Sequence, residues 1–307
     1  MDMNFTIVIP HKNVPDLLER LISSIPFRED LEIIVVDDYS DTDVVERLRK
    51  LERERENMTL ILNSECHGAG YARNRALPIV KGNWILFADA DDFFNQVFNE
   101  FLNDYVNAEA DIVYYNANCV DSETMEPSSR GDDMHKFIDD IHIDYKIDKK
   151  RGEMALRYLF TEPWCKMVKR ELIEKHEIRF EETMIRNDVK FSYMVGYYSN
   201  NIIVDDRKVY CATTRHDSVS KGKGEQAALD ELMVFSGWKK FLMEHRIPLE
   251  LPLFELRVYF FTRDLWKNNR FFRLEYCKMR EGGLSNVYII SKIIKYTLKS
   301  IKYKLDF

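Results

Sequence analysis

The sequence has no C-x-x-C pair, no excess of basic charge and no apolar run long enough to cross a bilayer. Its five cysteines, at 66, 119, 165, 211 and 277, are odd in number and scattered. That excludes a disulfide framework and a cysteine-based zinc site, and it fits a reducing compartment. With 45 basic and 52 acidic residues the formal charge is −7, which argues against nucleic acid as a partner. The opening Met1-Asp2-Met3-Asn4 lacks the basic region of a secretory signal. The expected location is therefore cytoplasmic, or peripheral on the inner face of a membrane. Internal repeats and low-complexity tracts are also missing.

What is present begins with an apolar run, Trp84-Ile85-Leu86-Phe87-Ala88, followed at once by Asp89-Ala90-Asp91-Asp92. The run is too short for a helix and rich in β-formers, so it predicts a buried strand. The carboxylates then stand at the carboxyl end of that strand, where open α/β sheets bind ligands. One Asp there would serve as a helix cap. Three crowded carboxylates repel one another and suit a hard cation, Mg²⁺ or Mn²⁺, that would in turn hold nucleotide phosphates.

The first third of the chain alternates strands with helices. Thr6–Ile9, Glu32–Val36, Met58–Leu62 and Trp84–Ala88 read as strands. Val14–Ser24, Asp41–Glu54, Ala69–Val80 and Asn95–Ala108 read as helices, and Ile112–Asn116 as a further strand. Repeated βα units with continuous apolar strands predict an α/β fold with a mostly parallel sheet flanked by helices. Between Asp121 and Asp148 nine acids face three bases with little periodicity, which predicts an exposed connector over about 121–150. Beyond it come helical segments, two β-like runs at Ile202–Val204 and Val209–Thr213, and a polar loop at Arg215–Gly224. A mostly helical C-terminal extension completes the chain, so a division at 1–221 and 222–307 is expected.

Asp37-Asp38 also close a strand. They could accept hydrogen bonds from a nucleoside or make an Asx turn. Gly68-Ala69-Gly70-Tyr71-Ala72-Arg73-Asn74 is a poor dinucleotide fingerprint, because Arg73 stands where a third small residue is wanted. It reads better as a helix N-terminus with an added guanidinium for an anion or a pyrimidine.

Taken in order, these segments resemble the family 2 glycosyltransferases. The resemblance rests on Ile7-Val8-Ile9-Pro10-His11-Lys12-Asn13, Val35-Val36-Asp37-Asp38-Tyr39-Ser40-Asp41, Gly68-x-Gly70-x-Ala72-Arg73-Asn74 and Asp89-x-Asp91-Asp92. It continues through Glu162-Pro163-Trp164-Cys165-Lys166, Arg186-Asn187-Asp188 and Arg215-His216-Asp217-Ser218, over roughly residues 5 to 221. Two departures stand out. Asn187 replaces the usual Glu before the catalytic Asp, and Lys12 replaces an aromatic near the base. The resemblance implies a GT-A fold and inverting transfer of a sugar from a nucleotide-diphosphate donor, a UDP-sugar foremost, to a glycan or lipid-linked acceptor. It implies Pro10, Lys12, Asp38, Arg73, Asp89, Asp91 and Arg215 at the donor, Asp91 on Mn²⁺ or Mg²⁺, and Asp188 as base. Trp164 and Lys166 would meet the acceptor. The implied setting is bacterial surface polysaccharide and cell wall biogenesis.

Alternatives stay open at several points. His216 is either a cation ligand on a closing loop or an exposed loop histidine. Trp164 is either core or acceptor floor. A sugar nucleotidyltransferase would also use strand-end carboxylates, but Pro10-His11-Lys12-Asn13 lacks the glycines of its phosphate loop. A non-catalytic nucleotide-binding protein on the same scaffold is a third class. In the C-terminal region, Lys292, Lys295, Lys299 and Lys302 fall beside an apolar stripe of Ile290, Ile294, Leu298, Ile301 and Leu305. A helix there, over 286–305, either packs on protein or lies in an anionic membrane interface. Packing is the plainer reading.

Overall fold

The structure, a computed structural model, describes residues 3–127, 129–215, 225–249, 251 and 269–305. Two compact units emerge, Met1–Ser218 and Val219–Phe307. The first is built on one eight-stranded sheet. In chain order its strands are β1 (Phe5–His11), β2 (Leu31–Asp37), β3 (Met58–Leu62), β4 (Trp84–Phe87), β5 (Phe93–Phe94), β6 (Ile112–Asp121), β7 (Lys166–Lys169) and β8 (Ile202–Thr214). In space they run β3-β2-β1-β4-β7-β6-β8-β5. Strands β1 to β4 are mutually parallel where they pair, β6 and β8 are parallel, and β7 runs antiparallel between β4 and β6. The short β5 is antiparallel to β8. The carboxyl ends of β1, β2, β3, β4, β6 and β8 therefore share one edge of the sheet.

The expected mixed α/β architecture with a mostly parallel sheet is what forms. The first strands are apolar on both faces because both faces are covered. Ile7, Val8 and Ile9 of β1 are fully enclosed, each contributing roughly 1.5–3 kcal/mol by burial. Helix α1 (Pro15–Ser24) opens on Pro15, whose missing N–H costs nothing in the first turn, and buries Leu18, Leu21 and Ile22. Helix α2 (Thr42–Glu54) buries only Val44 and Leu48 and turns its charged face to water. Helix α3 (Ala69–Ala76) is shorter than expected, giving way to a 3-10 turn at Leu77–Ile79 that Pro78 enters. The next helix, α4 (Phe98–Tyr105), starts later than Asn95 because Phe93–Phe94 is taken into the sheet.

The connector expectation is corrected. Ser129–Ile147 is a helix, α5, followed by α6 (Lys149–Tyr158), whose N-cap Asp148 accepts a hydrogen bond from the Arg151 N–H. The periodic signal in α5 is narrow. Ile138, Ile141 and His142 are buried, whereas Phe137, Ile143 and Ile147 are exposed. Apolar residues on the wrong face hide the stripe from a sequence reading. The two β-like runs at 202–204 and 209–213 are one strand, with register shifts opposite Tyr114–Ala117. Its polar middle is accommodated by an ion pair, Arg207 with Asp205 at 2.6 Å and with Asp104 at 2.7 Å. Helices α7 (Arg170–Lys175) and α8 (Val189–Tyr198) complete the first unit.

The second unit contains helices α9 (Glu225–Glu244), α10 (Asn269–Glu281) and α11 (Asn286–Leu305). Helix α9 buries Leu229, Leu232, Phe235, Trp238 and Leu242. No described helix is long and apolar enough to cross a membrane.

Candidate active site

The functional side chains gather along the carboxyl edge of the sheet. At the end of β2, Asp38 is 4 % exposed and accepts hydrogen bonds from the backbone N–H of Gly68 (2.7 Å) and His67 (2.9 Å) and from Asn63 Nδ2 (3.1 Å). Burial alone would raise this carboxyl, but those donors outweigh it and hold it below the usual aspartate range. Asp38 thus anchors the turn that feeds α3. Gly68 has φ +91, a backbone state that disfavours side chains. Neighbouring Asp37 is spent on His11 Nδ1 (2.8 Å) and Ser40. Pro10, the last residue but one of β1, is half-buried, and Lys12 Nζ donates to Cys66 Sγ at 2.8 Å.

One turn into α3, Arg73 is buried and bridges two segments far apart in sequence. Its Nη2 donates to Asp89 Oδ1 (2.6 Å), its Nη1 to Asn187 Oδ1 (2.9 Å), and its guanidinium lies 5.1 Å from the centre of the Phe180 ring. Gly70, on the same helix, is packed against the backbone of that second segment. A Cβ there would lie 2.0 Å from the Glu181 carbonyl oxygen and 2.8 Å from Asn187 Cβ. This close approach is what the residue type serves.

The turn after β4 relieves its own charge crowding. Asp89 pairs with Arg73. Asp91 takes a two-pronged contact from Arg215, Nε at 2.8 Å and Nη2 at 2.7 Å. Asp92 accepts from the Thr213 N–H (2.6 Å) and the Tyr210 hydroxyl (2.8 Å). Both Asp92 oxygens are thereby engaged, so it is part of the turn's framework. Within the turn, Arg73, Arg215 and Tyr210 each meet one of the three carboxylates. Tyr210 also accepts from the Asp89 N–H at 2.9 Å, and its ring stacks on Trp164 at 5.2 Å. Arg20 of α1 donates to the Asp91 carbonyl and to the Ser122 carbonyl.

Asp91 is half-buried beside Arg215. Burial and then the charge of Asp89 push its carboxyl up, and Arg215 offsets this only in part. Mg²⁺ and Mn²⁺ need one or two protein carboxylates when phosphate oxygens supply the rest. Among the described residues no group of three or more His, Cys, Asp or Glu side chains could hold an ion by itself. His216, Gly222 and the remainder of that loop lie outside the described residues.

Asp188 is half-buried at the start of α8. Burial pushes its carboxyl above the ordinary aspartate range, Arg73 pulls it back and Asp89 adds to the rise. Around it stand groups to which the sequence assigned no part in proton transfer. Glu162 and Glu181 each carry a buried carboxylate oxygen that lacks a hydrogen-bond partner. Burial raises both, and the charge of Asp188 adds to each. Lys166 is brought down to about 8 by burial, against the pull of Glu162 and Asp188. Its ammonium is fully enclosed and donates to the Phe160 carbonyl at 2.8 Å, and Trp164 is 5 % exposed. Both side chains expected at the acceptor are enclosed in this structure, Lys166 on the Phe160 carbonyl and Trp164 against the Tyr210 ring. Glu162 stands in a quoted segment without an assigned role, and no sequence signal would have found Tyr210, whose partners Asp89 and Asp92 are 121 and 118 positions away.

Glu181 offers a test of this electrostatic picture. Its carboxyl is pushed up to about 7, above its unfolded value. The native state thus holds a proton that the unfolded chain releases, so stability is greatest below the unfolded pKa and falls as pH rises through about 7. In Glu181→Gln that loss is removed. Thermal unfolding should show the variant gaining about 2–4 °C on the native protein between pH 5 and pH 8.5. A constant difference across that range would contradict the assignment.

The family model described as Glycosyl transferase family 2 matches residues 6–176. The chain belongs to this family. Among similar proteins, glycosyltransferase GlyA of Streptococcus pneumoniae is 29 % identical over 229 residues, 72 % of this chain and 32 % of that protein. The poly(ribitol-phosphate) beta-N-acetylglucosaminyltransferase TarS of Staphylococcus aureus is 23 % identical over 238 residues, 69 % of this chain and 36 % of that protein. The chain spans about a third of the length of these curated relatives. The crystal structure of S. aureus TarS 1-349 in complex with UDP-GlcNAc superposes with a TM-score of 0.67 at 18 % identity, covering 99 % of this chain and 92 % of that one. The mannosyltransferase PcManGT from Pyrobaculum calidifontis, in complex with GDP-Man and Mn²⁺, gives 0.52 at 15 % identity, covering 98 % and 81 %. At these identities the likeness shows the fold, which is GT-A.

Proposed function

We propose that this family 2 chain transfers a sugar from a nucleotide-diphosphate donor, a UDP-sugar, to a hydroxyl of a glycan or lipid-linked acceptor, with inversion. One observation carries the reading. Arg73 joins Asp89 to the segment bearing Asp188, so the carboxylate nearest the donor edge and a second, burial-raised carboxylate sit in one electrostatic cluster.

Each residue then has a physical task. Asp38 and its ring of loop donors fix the turn at the nucleoside end, with Pro10 and Lys12 alongside. Asp89, oriented by Arg73 and by the Tyr210 hydroxyl, approaches the ribose. Asp91 would hold Mn²⁺ or Mg²⁺ against the diphosphate, and the cation would stabilise the charge gathering on the leaving group. Arg215, released from Asp91 in that state, is placed to meet phosphate oxygen. Asp188 takes the proton from the incoming hydroxyl as it attacks the anomeric carbon. A carboxyl held above the usual range is a stronger base than free aspartate, and such assistance is worth roughly 10²–10⁴-fold. Direct displacement needs this one base and no covalent sugar intermediate.

UDP as the carrier is supported by the UDP-GlcNAc bound to TarS 1-349. The activities of similar proteins, on poly(ribitol-phosphate) and on a diphosphoundecaprenol-linked sugar, support acceptors of the bacterial envelope. Thermal-shift measurements with UDP, GDP and their sugars, each with and without Mn²⁺, test the donor side. UDP with Mn²⁺ at a hundredfold excess over Kd should stabilise by about 2.7 kcal/mol, and UDP without metal by clearly less. A melting temperature indifferent to every nucleotide would remove the reading.

A further inference from the structure

Helix α11 carries two apolar faces, and the described part of the structure covers one of them. Ile289 and Tyr296 are buried, at 1 % and 7 % exposure. At 3.6 residues per turn the opposite side holds Val287, Ile290 and Ile294, which are 79 %, 48 % and 54 % exposed. In sequence the same stripe continues through Leu298, Ile301 and Leu305 to the end of the helix. Scattered exposed apolar residues are ordinary, but a continuous stripe along one helix marks a contact surface.

Charge identifies what the stripe contacts. The twenty residues of α11 include five lysines, at 292, 295, 299, 302 and 304, and no Asp or Glu, in a chain whose net charge is −7. In the sequence, Lys292, Lys295, Lys299 and Lys302 recur at helical spacing beside that stripe. Lys295 is exposed. A second copy of this helix would bring lysine against lysine. A soluble acidic partner would account for the lysines but not for the bare isoleucines beside them. An anionic bilayer satisfies both, with the apolar stripe entering the acyl boundary and the lysine stems reaching up to the phosphates.

We propose that α11 is an in-plane anchor that seats the protein on an anionic lipid surface. The proposal does not depend on the sugar-transfer reading, because lipid binding is measured without turnover. If both hold, the enzyme works where a lipid-linked acceptor resides.

The test is co-sedimentation of the full chain with vesicles of phosphatidylglycerol and phosphatidylcholine, against phosphatidylcholine alone. Binding is expected only to the anionic vesicles and should weaken steeply between 0.1 and 0.5 M salt, since surface attraction falls within the Debye length. Lys295→Glu and Lys299→Glu together should reduce affinity by about fivefold or more per lysine. Ile290→Glu with Ile294→Glu should reduce it by about tenfold or more, and both pairs should keep the native melting temperature and nucleotide response. Failure of the native chain to sediment with anionic vesicles overturns the proposal. So does full binding by the Ile290→Glu, Ile294→Glu variant. A stable dimer that this variant dissociates would make a second copy the occupant and would also overturn it.

Discussion

Asp188→Asn is expected to lower kcat by roughly 10²–10⁴-fold while leaving donor binding intact. Asparagine preserves the shape of the side chain but cannot accept the proton of an attacking hydroxyl. The neighbours of Asp188 make this separation clean. Arg73 donates its hydrogen bonds to Asn187 and Asp89, so the donor edge keeps its geometry in the variant. The native carboxyl is raised by burial, meaning that its ionised form is poorly solvated. Removing that charge should hold the melting temperature at neutral pH or increase it. The measurement pairs initial rates of UDP release in the presence of acceptor with UDP-induced thermal shifts. Transfer at the native rate by Asp188→Asn would remove this residue from the base role and leave the proton acceptor to be sought at Glu162 or Glu181.

The second large effect is expected at Gly70. Its replacement by Ala places a methyl group 2.0 Å from the Glu181 carbonyl oxygen, and the contact is with backbone, so no rotamer change relieves it. Either α3 or the 181–187 segment must move. Overpacking of this kind costs about 2–4 kcal/mol, a fall of roughly 5–15 °C in melting temperature. Activity should fall further than the folded fraction does. The displaced segment carries Asn187 and Asp188, and a shift of about 1 Å away from productive geometry can cost about 10²-fold. Assays at 15 °C, well below the expected transition, separate the two losses. An alanine variant with native kcat at that temperature would mean that the base segment is not braced against α3.

The interior of the site follows a simple electrostatic rule. Each carboxylate of the Asp89–Asp92 turn has a donor of its own, yet burial still holds Asp91 and Asp92 above the ordinary range, as it does Asp188, Glu162 and Glu181. Two of these hold the roles proposed for cation and proton. Glu162 and Glu181 are themselves raised by burial and by the charge of Asp188, so the three acids compete for charge in one buried setting.

Much of this architecture was legible beforehand, for identifiable reasons. Continuous apolar strands such as Ile7-Val8-Ile9 and Trp84-Ile85-Leu86-Phe87 report double-sided burial directly, because hydrophobic periodicity is local. The acidic turn after β4 was visible for the same reason, since a strand's carboxyl end is marked by where its apolar run stops. What misled was local information overwritten by distant contacts. Helix α5 carries isoleucines on its exposed face and looked structureless. The Ile202–Thr214 strand is interrupted by charges that a neighbouring ion pair absorbs. Lys166 sits in a polar-looking motif yet is enclosed, because Phe160 and Tyr114 accept its ammonium through a carbonyl and two ring faces.

By itself, then, the order of residues determined the sheet's parallel half, the edge at which chemistry gathers and the family to which the chain belongs, because strand length, apolar runs and turn residues act over a few neighbours at a time. Only the tertiary structure decided which carboxylates remain charged and available. Arg73 meets Asn187 across 114 positions and Arg215 meets Asp91 across 124. Ionisation depends on burial and on the nearest opposite charge, and both of those are properties of the folded chain.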